Sequence, residues 1–192
     1  MKKILVLQTI LLLNVTVYGQ SDTLLYSYKQ AKEIADKLLV KRLSLADIVV
    51  SEKSIPNGIK EFKNLEFLSL RPIPVSFGRP SGGGLCIIRY AKTKTTTLPL
   101  WINELDNLEE VDLIGITNID YSSELQKLSG LKNLRILSID PNEFSDRLVD
   151  ILTKFSELKS LKIRAAVTDS QLTGLKKGLA DCEIVTGTYA NY

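Results

Sequence analysis

A heptamer that recurs along the chain constrains the fold more than any other feature of the sequence. It reads NLEFLSL at 64–70, NLEEVDL at 107–113 and NLRILSI at 133–139, with apolar residues at its second, fifth and seventh positions. The underlying pattern, L-x-x-L-x-L with other apolar residues allowed, starts at Leu45, Leu65, Leu85, Leu108, Leu134, Leu158 and Leu179. These starting points are 20 to 26 residues apart, so the repeating unit is a supersecondary element and not a helical turn.

Each copy predicts one short strand, because its central x-L-x alternates between polar and apolar positions. One such unit cannot bury its own apolar face, so the units must stack as parallel strands. Between copies, apolar residues at spacings of three and four predict helices mainly toward the C-terminus, at Leu125, Leu128 and Leu131 and at Phe144, Leu148, Ile151, Leu152 and Phe155. We therefore predict an α/β solenoid of about seven repeats, with short parallel strands on a concave face and irregular or helical arms on a convex face.

Two longer stretches, SIPNGIKEFKNLEFLSL and TLPLWINELDNLEEVDL, and the sequence LKKGLADCEI resemble the leucine-rich repeat family. The resemblance covers 45–185 and implies a right-handed βα superhelix in an exported bacterial protein that binds other proteins. The family's asparagine, three residues after the last leucine of a copy, appears here only as Asn142. The corresponding positions in other copies hold Ile73, Thr93, Ile116 and Ala166.

Residues 1–19 have the character of a signal peptide. Lys2 and Lys3 precede an apolar stretch over 4–17, and Val17-Tyr18-Gly19 offers a cleavage site. The apolar stretch is shorter than the roughly 20 residues that a spanning helix needs, although an uncleaved anchor is the alternative. No cysteine follows the stretch, so no lipoprotein anchor is expected at this site. We expect a secreted or periplasmic protein with no transmembrane segment after cleavage.

Segments on either side of the repeats are expected to cover the ends of the array. Within 20–44, Ser27 and Gln30 fit a capping box, and an apolar helical stripe runs over 27–41. We expect this amphipathic helix to cap the first repeat; a helix that binds a membrane surface is the alternative. The tail 186–192 is expected to cover the last repeat with Tyr189 and Tyr192.

Residues 71–84, RPIPVSFGRPSGGG, interrupt the array. Their three prolines and four glycines exclude a regular helix. The Ser-Gly-Gly-Gly lacks the G-x-x-x-x-G-K-[ST] pattern of a phosphate-binding loop, so we expect a connector. Insertions in repeat proteins can join a binding face, which makes Arg71, Phe77 and Arg79 secondary candidates for partner contact.

The composition excludes several classes of function. The chain has no histidine, which excludes Ser-His-Asp and Cys-His catalysis and removes the commonest metal ligand. Cys86 and Cys182 are too few for a zinc cluster, and the predicted strands place them roughly 19 Å apart, too far for a disulfide. We therefore predict two free thiols, with Cys182 buried at a leucine position.

The charge balance gives no reason to expect a nucleic-acid partner. Without Lys2 and Lys3, 25 − 2 = 23 basic residues face 22 acidic ones, and the two signs are interspersed throughout. We also expect no cofactor and no catalytic residue.

The variable positions of each copy are predicted to face outward from the concave sheet. They are Asp47/Val49, Phe67/Ser69, Ile87/Arg89, Glu110/Asp112, Ile136/Ser138, Ser160/Lys162 and Asp181/Glu183. Apolar residues are mixed there with charges of both signs, as suits a protein or peptide partner with aromatic and arginine anchors. The predicted contact residues are Phe67, Ser69, Arg71, Ile87, Arg89, Glu110, Asp112, Ile136, Ser138, Asp140, Lys162 and Arg164.

The main hypothesis is a non-catalytic protein–protein interaction module. A structural or adhesive envelope component that self-associates is one alternative. A glycan hydrolase is another, because Glu110 and Asp112 would lie about 7 Å apart on one strand, within the carboxylate spacing of an inverting glycosidase. An open sheet face, however, lacks the enclosing cleft that would separate the pKa values of such a pair. The sequence leaves the oligomeric state and the identity of the partner open.

Overall fold

The structure is a computed structural model that describes residues 24–78 and 87–187. Its nine described strands are β1 (Leu25–Ser27), β2 (Arg42–Ser44), β3 (Phe67–Ser69), β4 (Pro74–Gly78), β5 (Ile87–Tyr90), β6 (Glu110–Asp112), β7 (Ile136–Ile139), β8 (Ser160–Ile163) and β9 (Glu183–Thr186). Seven of them form one sheet in the order β1-β2-β3-β6-β7-β8-β9, and every pair in it is parallel. The predicted α/β class and the parallel sheet of seven strands are confirmed.

The four strong copies of the repeat each form a strand in the predicted register. Their central residues, together with one from β2, stand side by side across the sheet and are fully buried: Leu43, Leu68, Val111, Leu137 and Leu161. Because each side chain packs between its neighbours on both sides, the core is one continuous apolar layer beneath the sheet.

The first weak copy, Leu45/Ile48/Val50, is not a strand. Residues 42–44 form β2, and Ala46–Ser51 form helix α2, in which the Val49 amide donates to the Leu45 carbonyl at 3.0 Å. Leu45 and Val49 are both fully buried. Because they are four residues apart, they lie on the same buried face of the helix. The predicted outward pair Asp47/Val49 is therefore wrong, and Arg42/Ser44 takes its place in the sheet.

The third copy, Leu85/Ile88/Tyr90, is also wrong as a strand of the main sheet. β5 pairs with β4 in a separate antiparallel hairpin, and β3 pairs directly with β6. The unit from Leu68 to Val111 is thus 111 − 68 = 43 residues long, because the hairpin is inserted between its strand and its returning arm. Residues 79–86, with Arg79 and Cys86, lie outside the described residues.

The last copy is displaced by two residues. Ile184 stands opposite Leu161, so the outward pair of β9 is Glu183/Val185 and not Asp181/Glu183. The chain turns just before the strand, where the Cys182 amide donates to the Leu179 carbonyl at 3.1 Å. Cys182, which the pattern assigns to the strand, therefore belongs to the turn before it. Tyr189 and Tyr192 of the tail lie outside the described residues.

The longest helices of the returning arms lie toward the C-terminus, as predicted. The 3-10 helices Asn57–Glu61 and Leu100–Glu104 follow Pro56 and Pro99. Regular helices occupy the last three arms: α3 (Tyr121–Leu128), α4 (Asp146–Leu152) and α5 (Asp169–Gly178). Asp120 caps the first of these and a Thr168–Gln171 capping box begins the last, so local sequence explains where both start.

The single amphipathic helix predicted over 27–41 is wrong in its length. The Ser27–Gln30 capping box is confirmed, but helix α1 (Tyr28–Glu33) ends after six residues and a 3-10 turn follows at Lys37–Leu39. The Lys37 ammonium donates to the carbonyls of Ala31 and Ile34 at 3.2 and 2.6 Å, which holds the chain in this turn. β1 precedes the helix, so this segment adds a strand at the edge of the sheet.

The asparagine that opens the heptamer connects successive units. Asn64, Asn107 and Asn133 each donate from the side-chain amide to a backbone carbonyl of the preceding unit, at 3.0, 3.0 and 2.7 Å. Asn142 makes a similar bond to Thr117 at 2.6 Å. The repeated asparagines thus satisfy carbonyls where the chain enters each strand.

In the part of the chain that the structure describes, none of the helices has the length and apolar character needed to cross a bilayer.

We expect Asn133→Ala to lower the free energy of unfolding by about 1 kcal/mol, because it removes one bond between units. Urea unfolding of the purified protein measures the change. Lys132→Ala, at the exposed neighbouring position, is the control and should change stability by less than about 0.5 kcal/mol. Equal effects of the two substitutions would show that the asparagine bond is not the cause.

Candidate functional site

Side chains on the side of the sheet opposite the core define what we call the open face. They form two rows that run across the strands in register. The first row is Arg42, Phe67, Glu110, Ile136, Ser160 and Glu183. The second row is Ser44, Ser69, Asp112, Ser138, Lys162 and Val185. Eight of these twelve positions hold residues that the sequence predicts to face outward in the same pairs.

The first row mixes aromatic, aliphatic and charged groups in direct contact. The Arg42 guanidinium lies 4.1 Å from the centre of the Phe67 ring and 3.9 Å from the Glu110 carboxylate. Phe67 is only 8% exposed, so the predicted aromatic anchor is covered by the arginine. Ile136 is half-buried and accessible.

Six of the twelve predicted contact residues are buried, which corrects the expectation that they contact a partner directly. They are Phe67, Ser69, Asp112, Ser138, Asp140 and Arg164. Arg71, Arg89 and Lys162 are exposed, and Glu110 and Ile136 are half-buried. Ile87 and Arg89 belong to the hairpin and not to the open face.

Asp112 is the centre of a buried polar cluster in the second row. Its carboxylate accepts hydrogen bonds from the Ile114 amide at 3.0 Å and the Ser69 hydroxyl at 3.4 Å, and it pairs with Arg71 Nε at 2.8 Å. Burial alone would lower the pKa of Arg71, but the adjacent Asp112 carboxylate and the Tyr90 hydroxyl raise it above its usual value. The arrangement holds Arg71 over the strand ends.

A second ion pair lies one step further along, where β7 and β8 end. Arg164 Nη1 is 3.6 Å from Asp140 Oδ2, and both side chains are about 5% exposed or less. The Gly115 amide donates to the same carboxylate at 2.9 Å, and the Arg164 guanidinium lies 5.1 Å from the Tyr90 ring. Burial raises the pKa of Asp140 above its usual value, although Arg164 acts in the opposite direction.

Gly115 allows the hairpin to approach the sheet. Its φ of +84° is in the left-handed region, and a Cβ there would lie 2.9 Å from Pro72 and 3.0 Å from the Tyr90 ring. Only glycine accommodates both the conformation and the contact. Tyr90 at the end of the hairpin therefore comes close to the strand ends and interacts with the arginines of both ion pairs.

Between the hairpin and the strand ends lies a cleft of about 620 Å³. Arg89, Tyr90, Lys92 and Thr93 form one wall, and Thr117, Asn118, Asp140 and Arg164 line the other side and the floor. Thr93 and Asn118 join the walls, with the Asn118 amide donating to the Thr93 carbonyl at 3.1 Å. The sequence pattern missed Lys92 and Asn118 because they lie between the repeat copies, and it missed Tyr90 because it assigned this residue to a leucine position of the third copy.

The arrangement offers groups that can bind a ligand: guanidinium and ammonium cations, hydroxyls and a side-chain amide. Among residues 24–78 and 87–187, no three Cys, Asp or Glu side chains are grouped to hold a metal ion. Cys182 is a free thiol as predicted, but it is half-buried and not in the core, and burial raises the pKa of its thiol. Cys86 lies outside the described residues.

No protein-family profile and no curated protein sequence matches the chain. Among solved structures, a leucine-rich repeat protein of Leptospira interrogans matches it with a TM-score of 0.32 and 17% sequence identity. The match covers 85% of this chain and 53% of that protein, so the chain spans about half the length of this neighbour.

We expect Asp140→Asn and Arg164→Met each to destabilise the protein by about 3 kcal/mol, because each removes one side of a buried ion pair. The loss of unfolding free energy in the double variant should be smaller than the sum of the two single losses by at least about 1 kcal/mol. Chemical unfolding of all four proteins measures this coupling. Additive losses would show that the two side chains contribute independently.

The stability contribution of Glu110 depends on pH. Its pKa is raised above the usual value because burial penalises the charged form more than Arg42 and Lys162 favour it. The folded protein therefore holds this proton more tightly than the unfolded chain, so the contribution is full below the unfolded pKa and is lost as pH rises through the folded pKa.

Relative to Glu110→Gln, the wild-type free energy of unfolding should fall as pH rises from below about 4 toward neutrality. Unfolding curves across this range measure the difference, and Glu109→Gln, at the exposed neighbouring position, is the control. If the wild type instead became more stable relative to Glu110→Gln as pH rises, the pKa of Glu110 could not be raised.

Proposed function

We propose that the protein is an exported leucine-rich repeat solenoid that binds a protein or peptide partner, without catalysis, through its open sheet face. The observation that carries the proposal is the pair of in-register rows across the strands. Repetition of the strand unit creates an extended surface, and the residues in the rows differ from unit to unit.

Several features support the solenoid. Each strand of the seven-stranded sheet is parallel to its neighbours, and each one before β9 is followed by a connection that returns to the same end of the sheet. Parallel connections of this kind are right-handed in almost all proteins, which supports the right-handed superhelix. The asparagine bonds between units repeat with the strands, as expected for stacked copies of one element.

The dimensions and chemistry of the open face suit a peptide. Seven strands at about 4.8 Å spacing give a sheet roughly 29 Å across, the length of about nine extended residues. Ile136 and Arg42 offer apolar and cationic contacts, with Glu110 beside them. Such a mixture is typical of protein interfaces, in which arginine and aromatic side chains contribute most of the affinity.

Export to the periplasm or the cell exterior belongs to the proposal and rests on residues 1–19. These residues lie outside the part of the chain that the structure describes. Their basic start, short apolar stretch and small-residue cleavage site support a cleavable signal.

A hydrolase built on Glu110 and Asp112 is less well supported than a binding module. Both oxygens of Asp112 already accept bonds, from Ile114 on one side and from Arg71 and Ser69 on the other. A general base must be able to reach a water molecule, and these three partners occupy the carboxylate.

The test is selection of peptides from a random displayed library on the purified protein. Ile136→Arg with Ser160→Arg places two large cations on the first row and should weaken the selected peptides by at least about tenfold. Gln126→Arg with Ser156→Arg adds the same charge at exposed positions of the α3 and α4 arms and should leave binding unchanged. Affinity is measured by fluorescence anisotropy.

Two results would contradict the proposal. Selected peptides that bind the open-face variant as well as the wild type would place the interaction elsewhere. A protein that selects no peptide, and whose mass instead increases with concentration, would favour the self-associating envelope component.

A further inference from the structure

The cleft beneath the hairpin is the part of the molecule in which position, shape and charge together indicate a ligand. Its volume of about 620 Å³ lies within the range of sites that hold small molecules or peptide side chains. It is continuous with the open face, because Asp140 and Arg164 lie two residues beyond Ser138 and Lys162 of the second row.

The floor and walls of the cleft are fixed by contacts within the protein. The Asp140 carboxylate is held by the Gly115 amide and by Arg164, whose guanidinium lies against Tyr90. The Thr93–Asn118 bonds fix the walls to each other. A site with this many internal bonds loses little conformational entropy when a ligand enters it.

The mouth of the cleft carries an excess of positive charge. On the floor, Arg164 and Asp140 balance each other. Arg89 and Lys92 are exposed on the hairpin wall and form no ion pair with any residue in the described part of the chain. Among the lining residues of this cleft that the structure describes, Asp140 is the only acidic one. The excess therefore favours an anion at the mouth.

The lining also distinguishes between kinds of anion. A dianion such as phosphate, seated deeply, would approach the Asp140 carboxylate on the floor, whereas a carboxylate at the mouth carries a single charge that Arg89 can bind with two parallel bonds. Thr93, Thr117 and Asn118 supply neutral hydrogen-bonding groups beside it, as suits peptide amides.

We propose that the cleft is a carboxylate subsite that receives an aspartate or glutamate side chain of a peptide lying along the open face. The partner is therefore an acidic peptide segment. This inference rests on the proposed function and adds the chemistry of the partner to it.

The probe is an acetylated and amidated tetraglutamate peptide, compared with the corresponding tetraglutamine peptide at low ionic strength. Tetraglutamate should bind the wild-type protein at least about tenfold more tightly than tetraglutamine. Arg89→Gln with Lys92→Gln should weaken tetraglutamate binding about tenfold, because both cations at the mouth are removed. Both positions are exposed, so the fold should be preserved.

Lys132→Gln with Lys154→Gln is the control, since it removes the same charge at exposed positions away from the cleft. It should change the affinity by less than about twofold. Equal weakening by both double variants would show non-specific attraction and overturn the proposal. So would equal binding of the two peptides, or failure of tetraglutamate to bind.

Competition distinguishes other sources of negative charge. Inorganic phosphate and oligoglucuronate are added at the same charge concentration as the peptide, and neither should displace it efficiently. Displacement by phosphate would reassign the cleft to phosphate, and displacement by oligoglucuronate would reassign it to acidic glycans. Library peptides that depend on Ile136 and Ser160 but ignore Arg89 and Lys92 would refute this inference and leave the proposed function intact.

Discussion

No single unit of this chain can bury its own leucines, and the rest of the structure depends on that constraint. Leu68, Val111 and Leu137 are fully buried only because neighbouring strands stand beside them in register. Each such side chain contributes about 1.5–3 kcal/mol through removal of apolar surface from water. The same register places the residues between them in rows on the opposite face. Burial of the core therefore determines the geometry of the surface.

The inserted hairpin is not part of the repeat, and it leaves the pairing of the repeated strands unchanged. β4 and β5 pair only with each other, so β3 and β6 remain neighbours and the core stays continuous. The hairpin instead contacts polar groups: Tyr90 lies against Arg164 and interacts with Arg71, which pairs with Asp112. Buried charges are tolerated there because each has an opposite charge and further hydrogen bonds. The irregular unit thus supplies the cleft that the regular units lack.

The sequence predicts the strong repeats well, and the weak ones poorly, for a physical reason. Four residues after Leu45 stands the apolar Val49, which completes a helix face, and a helix is what forms there. Four residues after Leu65 stands the polar Ser69, which leaves the strand as the better fit. The copy at Leu85 fails because antiparallel pairing with β4 competes with the main sheet. The spacing of apolar residues within one copy does not show which of these competing structures is more stable.

The candidate site was less predictable than the fold, because exposure and local charge depend on neighbours far apart in sequence. Alternation identifies which side chains leave the core, but it does not show that Asp112 is buried, or that it pairs with Arg71 and accepts a bond from Ser69 of the neighbouring strand. Similarly, the 25 basic and 22 acidic residues nearly balance in number, yet the ion pairs they form are not spread evenly over the surface. In the ion pairs at the strand ends, each arginine is neutralised by an aspartate. Arg89 and Lys92 lie together at one cleft without such a partner among the described residues. A nearly neutral chain can therefore present a local cationic site.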